Sequence, residues 1–289
     1  MLLDEECKGC LYNSQLKKVE KEQGAGERFE RFKRGVKALC QNPPAEYCAP
    51  LLMRDIDRVH REIFGGGIDY SKEKHLFNSL LLNMERELFA QTKASADPLC
   101  EAVKLAMAAN YIDFARLADL DGGAVDIVLE AATRANPKKD VLQSLKNKLA
   151  KAKALLYLHD NCGEIVLDKV LIRIIKSLYP QISVTSVVRG APIINDVTLA
   201  DAEEVGLFEY ANVIANGSDA PGTYLKEISE EALELLASGD VIIAKGLGNL
   251  ETLYGEGYDI FYLFTCKCGH ISARFGAAPW SAVITEENI

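Results

Sequence analysis

Residues 154–178 read ALLYLHDNCGEIVLDKVLIRIIKSL: a short apolar run, a polar break, then apolar residues at helical spacing. The same unit recurs downstream. Short β-rich runs at 154–158, 184–188, 212–215, 241–244 and 260–264 alternate with helical patterns over 165–178, 197–205 and 225–237. Parallel neighbours need a long connection that a helix supplies, so this alternation predicts a parallel sheet with crossover helices. The fold class expected is α/β, a three-layer α/β/α, Rossmann-like parallel-sheet domain over residues 152–289.

Upstream the periodicity is helical from about residue 27 to 151, and residues 1–151 are expected to form an N-terminal all-helical domain whose segment 1–20 carries a CxxC motif. Phe29, Phe32, Val36, Leu39 and Cys40 share one helix face, which ends at Asn42-Pro43-Pro44. Leu51, Leu52, Ile56, Val59 and Ile63 line a second helix stopped by the glycines at 65–67, and Ser71 is read as the N-cap of a third. Asp97-Pro98 opens a fourth, since aspartate caps and proline is tolerated at the first helical position; this helix is expected to carry the polar pair Asn110 and Asp113. Further helices are expected over 125–134 and 140–151.

The chain has 289 residues, 48% of them hydrophobic and 26% charged, which is the composition of a globular protein with a sizeable core. Its formal net charge of −9 argues against a nucleic-acid partner held through phosphate contacts. Apolar stretches such as 259–266 fall far short of the roughly 18 to 20 residues of a membrane span, so no membrane partner is expected. The acidic start MLLDEECKGC does not resemble a secretory signal, so a cytoplasmic location is expected. With 8 cysteines and no export signal, the thiols are expected to be reduced. Cys7 and Cys10 form a CxxC, and Cys266 and Cys268 a CxC. These four meeting in space would make a structural Zn²⁺ or an iron–sulfur site; a redox pair or simply buried thiols are the alternatives.

In open α/β sheets ligands bind beyond the carboxyl ends of the strands, and here each unusual polar cluster follows a strand. The clusters are Asp160-Asn161-Cys162-Gly163-Glu164, then Arg189-Gly190 with Asn195-Asp196, then Ser218-Asp219, then Lys245-Gly246 with Asn249. Asp160, Asn161 and Asp196 offer hard oxygen ligands suited to Mg²⁺ or Mn²⁺. Lys245 and Arg189 add positive charge, and a divalent ion with a cationic side chain over helix N-termini is how proteins hold a phosphoryl group. Each residue has a plainer reading. Asp160-Asn161 and Asp196 also suit helix caps, Glu164 suits a first helical turn, Lys245 suits a surface, Arg189 suits an ion pair, and Asn110 with Asp113 suit a buried hydrogen-bonded pair. Their joint placement is what favours a site.

DNCGE (160–164), RGAPIINDVT (189–198), SDAPGT (218–223) and KGLGNLETL (245–253) resemble, in order and spacing, the signature blocks of the damage-control phosphatase family, also catalogued as domain of unknown function 89. AANYID (108–113) resembles a block of that family's helical part, and the CxxC with Lys267-Cys268 resembles its microbial branch. The resemblance implies a metal-dependent phosphatase of small phosphorylated metabolites: sugar phosphates, or phosphopantetheine-like or nucleotide-like monoesters. It implies activation by Mn²⁺, Mg²⁺, Co²⁺ or Ni²⁺, metal ligands at Asp160, Asn161 and Asp196, and a phosphate-contacting lysine at Lys245. Asn110, Asp113, Glu164, Arg189, Asn195, Ser218, Asp219, Gly246 and Asn249 are expected to line the substrate, with Asp219 or Glu164 orienting water. A metal-dependent sensor that binds a phosphometabolite without turnover is the rival of a different class. A carboxyl methyltransferase is weaker, because the turn after the first strand lacks the Gly-rich sequence such enzymes use. Phosphatases that form an aspartyl-phosphate place a second acid two residues after the nucleophile. That position is Cys162, so Asp160 is expected to bind metal and not to carry phosphate.

Overall fold

The computed structural model describes residues 1–110 and 123–288. Its helical part opens with α1 (Glu5–Gln23), which the sequence did not mark as a helix and on which both CxxC cysteines lie; Asp4 caps it by accepting the Cys7 N–H at 2.7 Å. The following helices are α2 (Glu27–Gln41) and α3 (Ala49–Phe64), the latter closed by Gly65 in the left-handed conformation at φ 86°. In α4 (Ser71–Ala94) the expected cap is corrected: Ser71 is the first helical residue, and its N–H is taken at 2.9 Å by Asp69 Oδ1. α5 (Pro98–Ala109) has the expected Asp97 cap, with the Cys100 N–H donating at 3.2 Å. Asn110 ends α5 as its C-cap, and Asp113 lies outside the described residues. α6 (Gly123–Arg134) and α7 (Lys139–Leu149) complete the helical part.

The sheet contains β1 (Ala154–Leu158), β2 (Ser183–Val188), β3 (Asn212–Ala215), β4 (Val241–Lys245), β5 (Ile260–Thr265) and β6 (Ala282–Glu287) in the order β3-β2-β1-β4-β5-β6. The first five are parallel, with Leu155 opposite both Val184 and Val241. β6 departs from the expectation: it pairs antiparallel on β5, with Leu263 opposite Ile284. The connection over residues 266–281 includes a short helix (Gly269–Phe275) and returns the chain along the free edge of β5 in the opposite direction.

Side chains alternate across the strands, and the two faces have separate cores. Leu155, Tyr157, Ile243, Phe261 and Leu263 pack with α4, α5, α7 and the crossover helix α8 (Glu164–Leu178). Leu156, Leu158, Ile242, Tyr262 and Phe264 pack with α10 (Glu230–Ser238), α11 (Gly246–Leu253) and α12 (Gly269–Phe275). This is the three-layer α/β/α arrangement. Helices α1 to α3 have their own core around Val19, Phe32, Val36 and Ile56.

Between β2 and β3 lies the short helix α9 (Leu199–Glu204). Its cap is Thr198, in reciprocal bonding with Asp201, so Asp196 is not its cap and the helix is shorter than the expected 197–205. Similarly, α10 starts later than the expected 225, because Ser229 caps it by accepting the Ala232 N–H at 3.2 Å. Among the described residues no helix is long and apolar enough to cross a membrane.

The chain exits from β2 and β3 touch at glycine. The Gly190 N–H donates to Ser218 O at 2.9 Å and to Asn216 Oδ1 at 3.0 Å, and a Cβ on Gly190 would fall 2.4 Å from the Gly217 carbonyl carbon. Backbone cannot yield as a flexible side chain can, so Gly190→Ala is expected to cost about 1–3 kcal/mol of stability. Urea denaturation checks this, with the expectation of a lower midpoint at an unchanged slope.

Candidate active site

The order 3-2-1-4-5 makes β1 the point from which connections run in opposite directions, so a crevice opens beyond β1 and β4. Asp160 and Asn161 leave β1 there. The Asn195-Asp196 segment returns alongside them: Asn161 and Asp196 form an antiparallel bridge, the Cys162 N–H donates to Asn195 O at 3.0 Å, and the Val197 N–H donates to Asp160 O at 2.9 Å. Two sequence blocks thirty-odd residues apart are thus stitched into one backbone unit.

Asp196 accepts from Arg189 Nε at 2.6 Å, and both residues are buried. Arg189 also donates to His159 O at 3.1 Å, and the same nitrogen lies 3.7 Å from Asp160 Oδ1. Its other terminal nitrogen, Nη1, is buried with no hydrogen-bond partner among the described residues. Asn110 reaches in from the end of α5: its Nδ2 donates to Asp160 Oδ2 at 3.1 Å and Glu164 Oε1 at 2.6 Å, while its Oδ1 accepts the Thr265 N–H at 3.1 Å. Asn161 Nδ2 donates to the same two carboxylate oxygens, at 2.7 Å each. Lys245, at the end of β4 and fully buried, donates to Glu164 Oε2 at 3.0 Å and to Asp168 Oδ1 at 2.7 Å.

The buried cluster therefore sets the carboxylates Asp160, Glu164, Asp168 and Asp196 against the cations Arg189 and Lys245, leaving acid in excess. Burial pushes the Asp160 carboxyl well above the ordinary carboxylate range, and the charges of Glu164 and Asp196 push it further than Arg189 and Lys267 pull it down. Burial also raises Asp196, despite Arg189. Lys245 stays cationic: burial opposes its charge, but Asp168 and then Glu164 outweigh burial and raise its pKa. An uncompensated acidic pocket is relieved by protons or by a cation. Asp160, Asn161 and Asp196 supply hard oxygens of the type a divalent ion prefers, so donor chemistry and charge both fit such an ion. Among the described residues no three His, Cys, Asp or Glu side chains stand together as a metal cluster, so an ion here would draw on the Asn161 amide and on water as well.

Other expected residues have different partners. Asp219 accepts from two nitrogens of Arg58 of α3, at 2.7 and 3.2 Å. Asn249 braces the site from behind: its Nδ2 donates to Lys245 O at 2.8 Å and His159 O at 3.0 Å, and its Oδ1 accepts from the Thr223 hydroxyl at 2.8 Å. Ser218 is buried and accepts the Ala220 N–H at 3.1 Å, while Asn195 acts here through its backbone carbonyl. The N-terminal segment docks against α12, where Asp4 Oδ2 lies 2.9 Å from Nδ1 of His270. Cys7, Cys10, Cys266 and Cys268 are all free thiols and form no metal-binding group among the described residues. Burial, then the neighbouring Asp4, pushes the Cys7 thiol up to about 12.

A family model described as the damage-control phosphatase ARMT1-like domain matches residues 3–283. The chain belongs to this family. It is 35% identical to an uncharacterized protein, MJ0202, of Methanocaldococcus jannaschii, over 76% of this chain and 74% of that protein. It is 32% identical to a damage-control phosphatase of Archaeoglobus fulgidus, over 76% of this chain and 77% of that protein. It is 36% identical to the damage-control phosphatase PH1575 of Pyrococcus horikoshii, over 65% of this chain and 64% of that one. The crystal structure of PH1575, described as a protein of the domain of unknown function 89 family, superposes with a TM-score of 0.86 at 26% identity, and each chain is covered in full.

For this member of the damage-control phosphatase family, sequence reasoning missed several groups that build the site. Asp168 sits four residues after Glu164 on the otherwise apolar face of α8, and that i, i+4 pair of acids was the available signal. Lys267, after β5, acts electrostatically on Asp160, which only the fold reveals. Gly246 has a specific reason to be glycine: φ is +74°, and a Cβ there would fall 1.8 Å from Asp160 Oδ2. Gly246→Ala is expected to displace the Asp160 carboxylate and to lower phosphatase turnover by a larger factor than the stability loss accounts for. Parallel measurement of kcat and of the unfolding midpoint checks this.

Proposed function

We propose that this protein is a metal-dependent phosphatase acting on small phosphorylated metabolites. The observation that carries the reading is the buried excess of carboxylate at the crevice, with Arg189 and Lys245 beside it. Asp160, Asn161 and Asp196 would hold the divalent ion, of which Mn²⁺, Mg²⁺, Co²⁺ and Ni²⁺ are candidates. Bound there, such an ion supplies charge neutralisation and an acidified water for hydrolysis of the phosphoester.

The chain's own groups do the remaining work. Asn110 and Asn161 hold the Asp160 and Glu164 carboxylates in one orientation. Two of the three N–H donors of Lys245 are taken by Glu164 and Asp168, leaving the third for a phosphate oxygen. The unpartnered Arg189 Nη1 is a second donor for that phosphate, and Lys267 adds positive charge at the approach. Fixed dipoles and cations of this kind stabilise charge on the transferring oxygens without reorganising during reaction. Aspartyl-phosphate chemistry lacks its acid: Cys162 is fully buried, and burial pushes its thiol well above the ordinary range. The names of the Archaeoglobus and Pyrococcus relatives support the phosphatase reading.

The test is phosphate release from a panel of sugar phosphates, nucleotides and phosphopantetheine, assayed with each ion and after chelation. Activity is expected to vanish with chelator and to return with Mn²⁺ or Mg²⁺; binding without release would instead favour a sensor. Asp160→Asn removes an anionic ligand, so kcat is expected to fall by about 10²-fold or more, with partial recovery in excess Mn²⁺. Lys245→Ala is expected to lower kcat/KM by about 10²–10³-fold while leaving the Mn²⁺ affinity, read by titration calorimetry, nearly unchanged.

A further inference from the structure

Behind Lys245 lies a set of polar groups that the proposed chemistry does not use. Asp168 accepts from Lys245 Nζ at 2.7 Å and from the Tyr157 hydroxyl at 2.8 Å, both on Oδ1, and from His159 Nδ1 at 3.1 Å on Oδ2. A carboxylate only accepts, so His159 donates to it from Nδ1, while its Nε2 lies within hydrogen-bond distance, 3.0 Å, of Ser186 Oγ. Tyr157, His159, Asp168, Ser186 and Lys245 are all fully buried. Tyr157 and His159 also pack against each other, with ring centroids 4.8 Å apart.

This set has a directional arrangement. Glu164 Oε1 is occupied by Asn110 and Asn161 on the side of Asp160, whereas the other partners of Asp168 come from β1 and, through His159, β2. Lys245 is shared between the two acids. With Asp168 neutral or absent, the ammonium would have Glu164 as its one remaining carboxylate and would be drawn onto it, changing the direction of its third N–H. We infer that Asp168 is a positioning residue: braced by Tyr157 and His159, it holds the Lys245 ammonium midway, so that its free donor stays available to the phosphate. Burial alone would raise the Asp168 carboxyl, but the charge of Lys245 and then the hydrogen bond from His159 hold it below the ordinary carboxylate range, as an anchoring anion requires.

This inference rests on the phosphatase reading, and the test keeps the two separable. Asp168→Asn keeps the size of the side chain and removes the charge. With Mn²⁺, its kcat is expected to fall about 10-fold or more while KM changes by less than about 3-fold. Tyr157→Phe removes one brace and leaves the charge, with an expected loss of about 2- to 5-fold in kcat, and the double variant is expected to lose less than the product of the two factors. In the Mg²⁺ form, ¹⁵N NMR of the lysine ammonium groups, with Lys245→Ala assigning the signal, is expected to show a slowly exchanging Lys245 resonance that shifts or disappears in Asp168→Asn. Wild-type kcat in Asp168→Asn, or a loss that follows only the folded fraction with the ammonium signal unmoved, overturns the inference. If Asp168→Asn does not fold, Tyr157→Phe decides: an unchanged kcat and an unchanged ammonium signal overturn it. If the wild-type enzyme releases no phosphate from any compound, the phosphatase reading fails, and the ammonium signal still tests whether Asp168 anchors Lys245.

Discussion

One buried ammonium organises this molecule. Lys245 has no contact with solvent, and removing such a charge from water costs on the order of several kcal/mol unless anions and hydrogen bonds replace the hydration. Glu164 and Asp168 replace it, both from the first turns of α8, and Lys245 itself ends β4. The pairing therefore ties the helix that follows β1 to the neighbouring strand at the place where the sheet's connections diverge. A buried ion pair of this kind is weak evidence for stability, since a well-packed apolar substitute is often as stable. Its presence at the crevice is better explained by chemistry that needs charge.

From that pair the site grows outward through amides. Asn110 and Asn161 each give both N–H donors to one oxygen of Asp160 and one of Glu164, so the two acids sit close without a cation between them. Asn110 comes from the end of α5, and its carbonyl oxygen is held by the backbone of Thr265 at the end of β5. The helical part thus supplies a structural member of the site and shares a continuous core with one face of the sheet. Any shift of α5 against the sheet would change the spacing of the carboxylates, which links packing to the acidic excess that a divalent ion would relieve.

Much of the fold was legible because its signals are local. The Asp97-Pro98 start, the Gly65 stop and the apolar strand runs depend on a few adjacent residues, and the structure has them where those residues imply. The failures have local reasons too. β6 reads AVITEE, and its acidic end and edge position hide a strand whose pairing with β5 is long-range. α11 begins Gly246-Leu247-Gly248, a poor helix sequence, because Gly246 needs a positive φ and room for Asp160. Asp196 had the position of a cap, but Thr198 with Asp201 fills that role and frees Asp196 for Arg189.

The sequence alone determined the alternation of strands and helices, the family, and the placement of polar clusters after strands, because each is carried by residue type and spacing along the chain. It also supplied Asp160, Asn161, Asp196 and Lys245 as candidates. Which partner each of them meets was settled only by tertiary structure: Asp219 turns to Arg58, Asn249 braces backbone carbonyls, and Asp168 with His159 stands behind Lys245. The reason is physical. Whether a charge is a solvated surface group or part of a buried cluster depends on desolvation and on neighbours tens of residues away, and neither is written in the residues beside it.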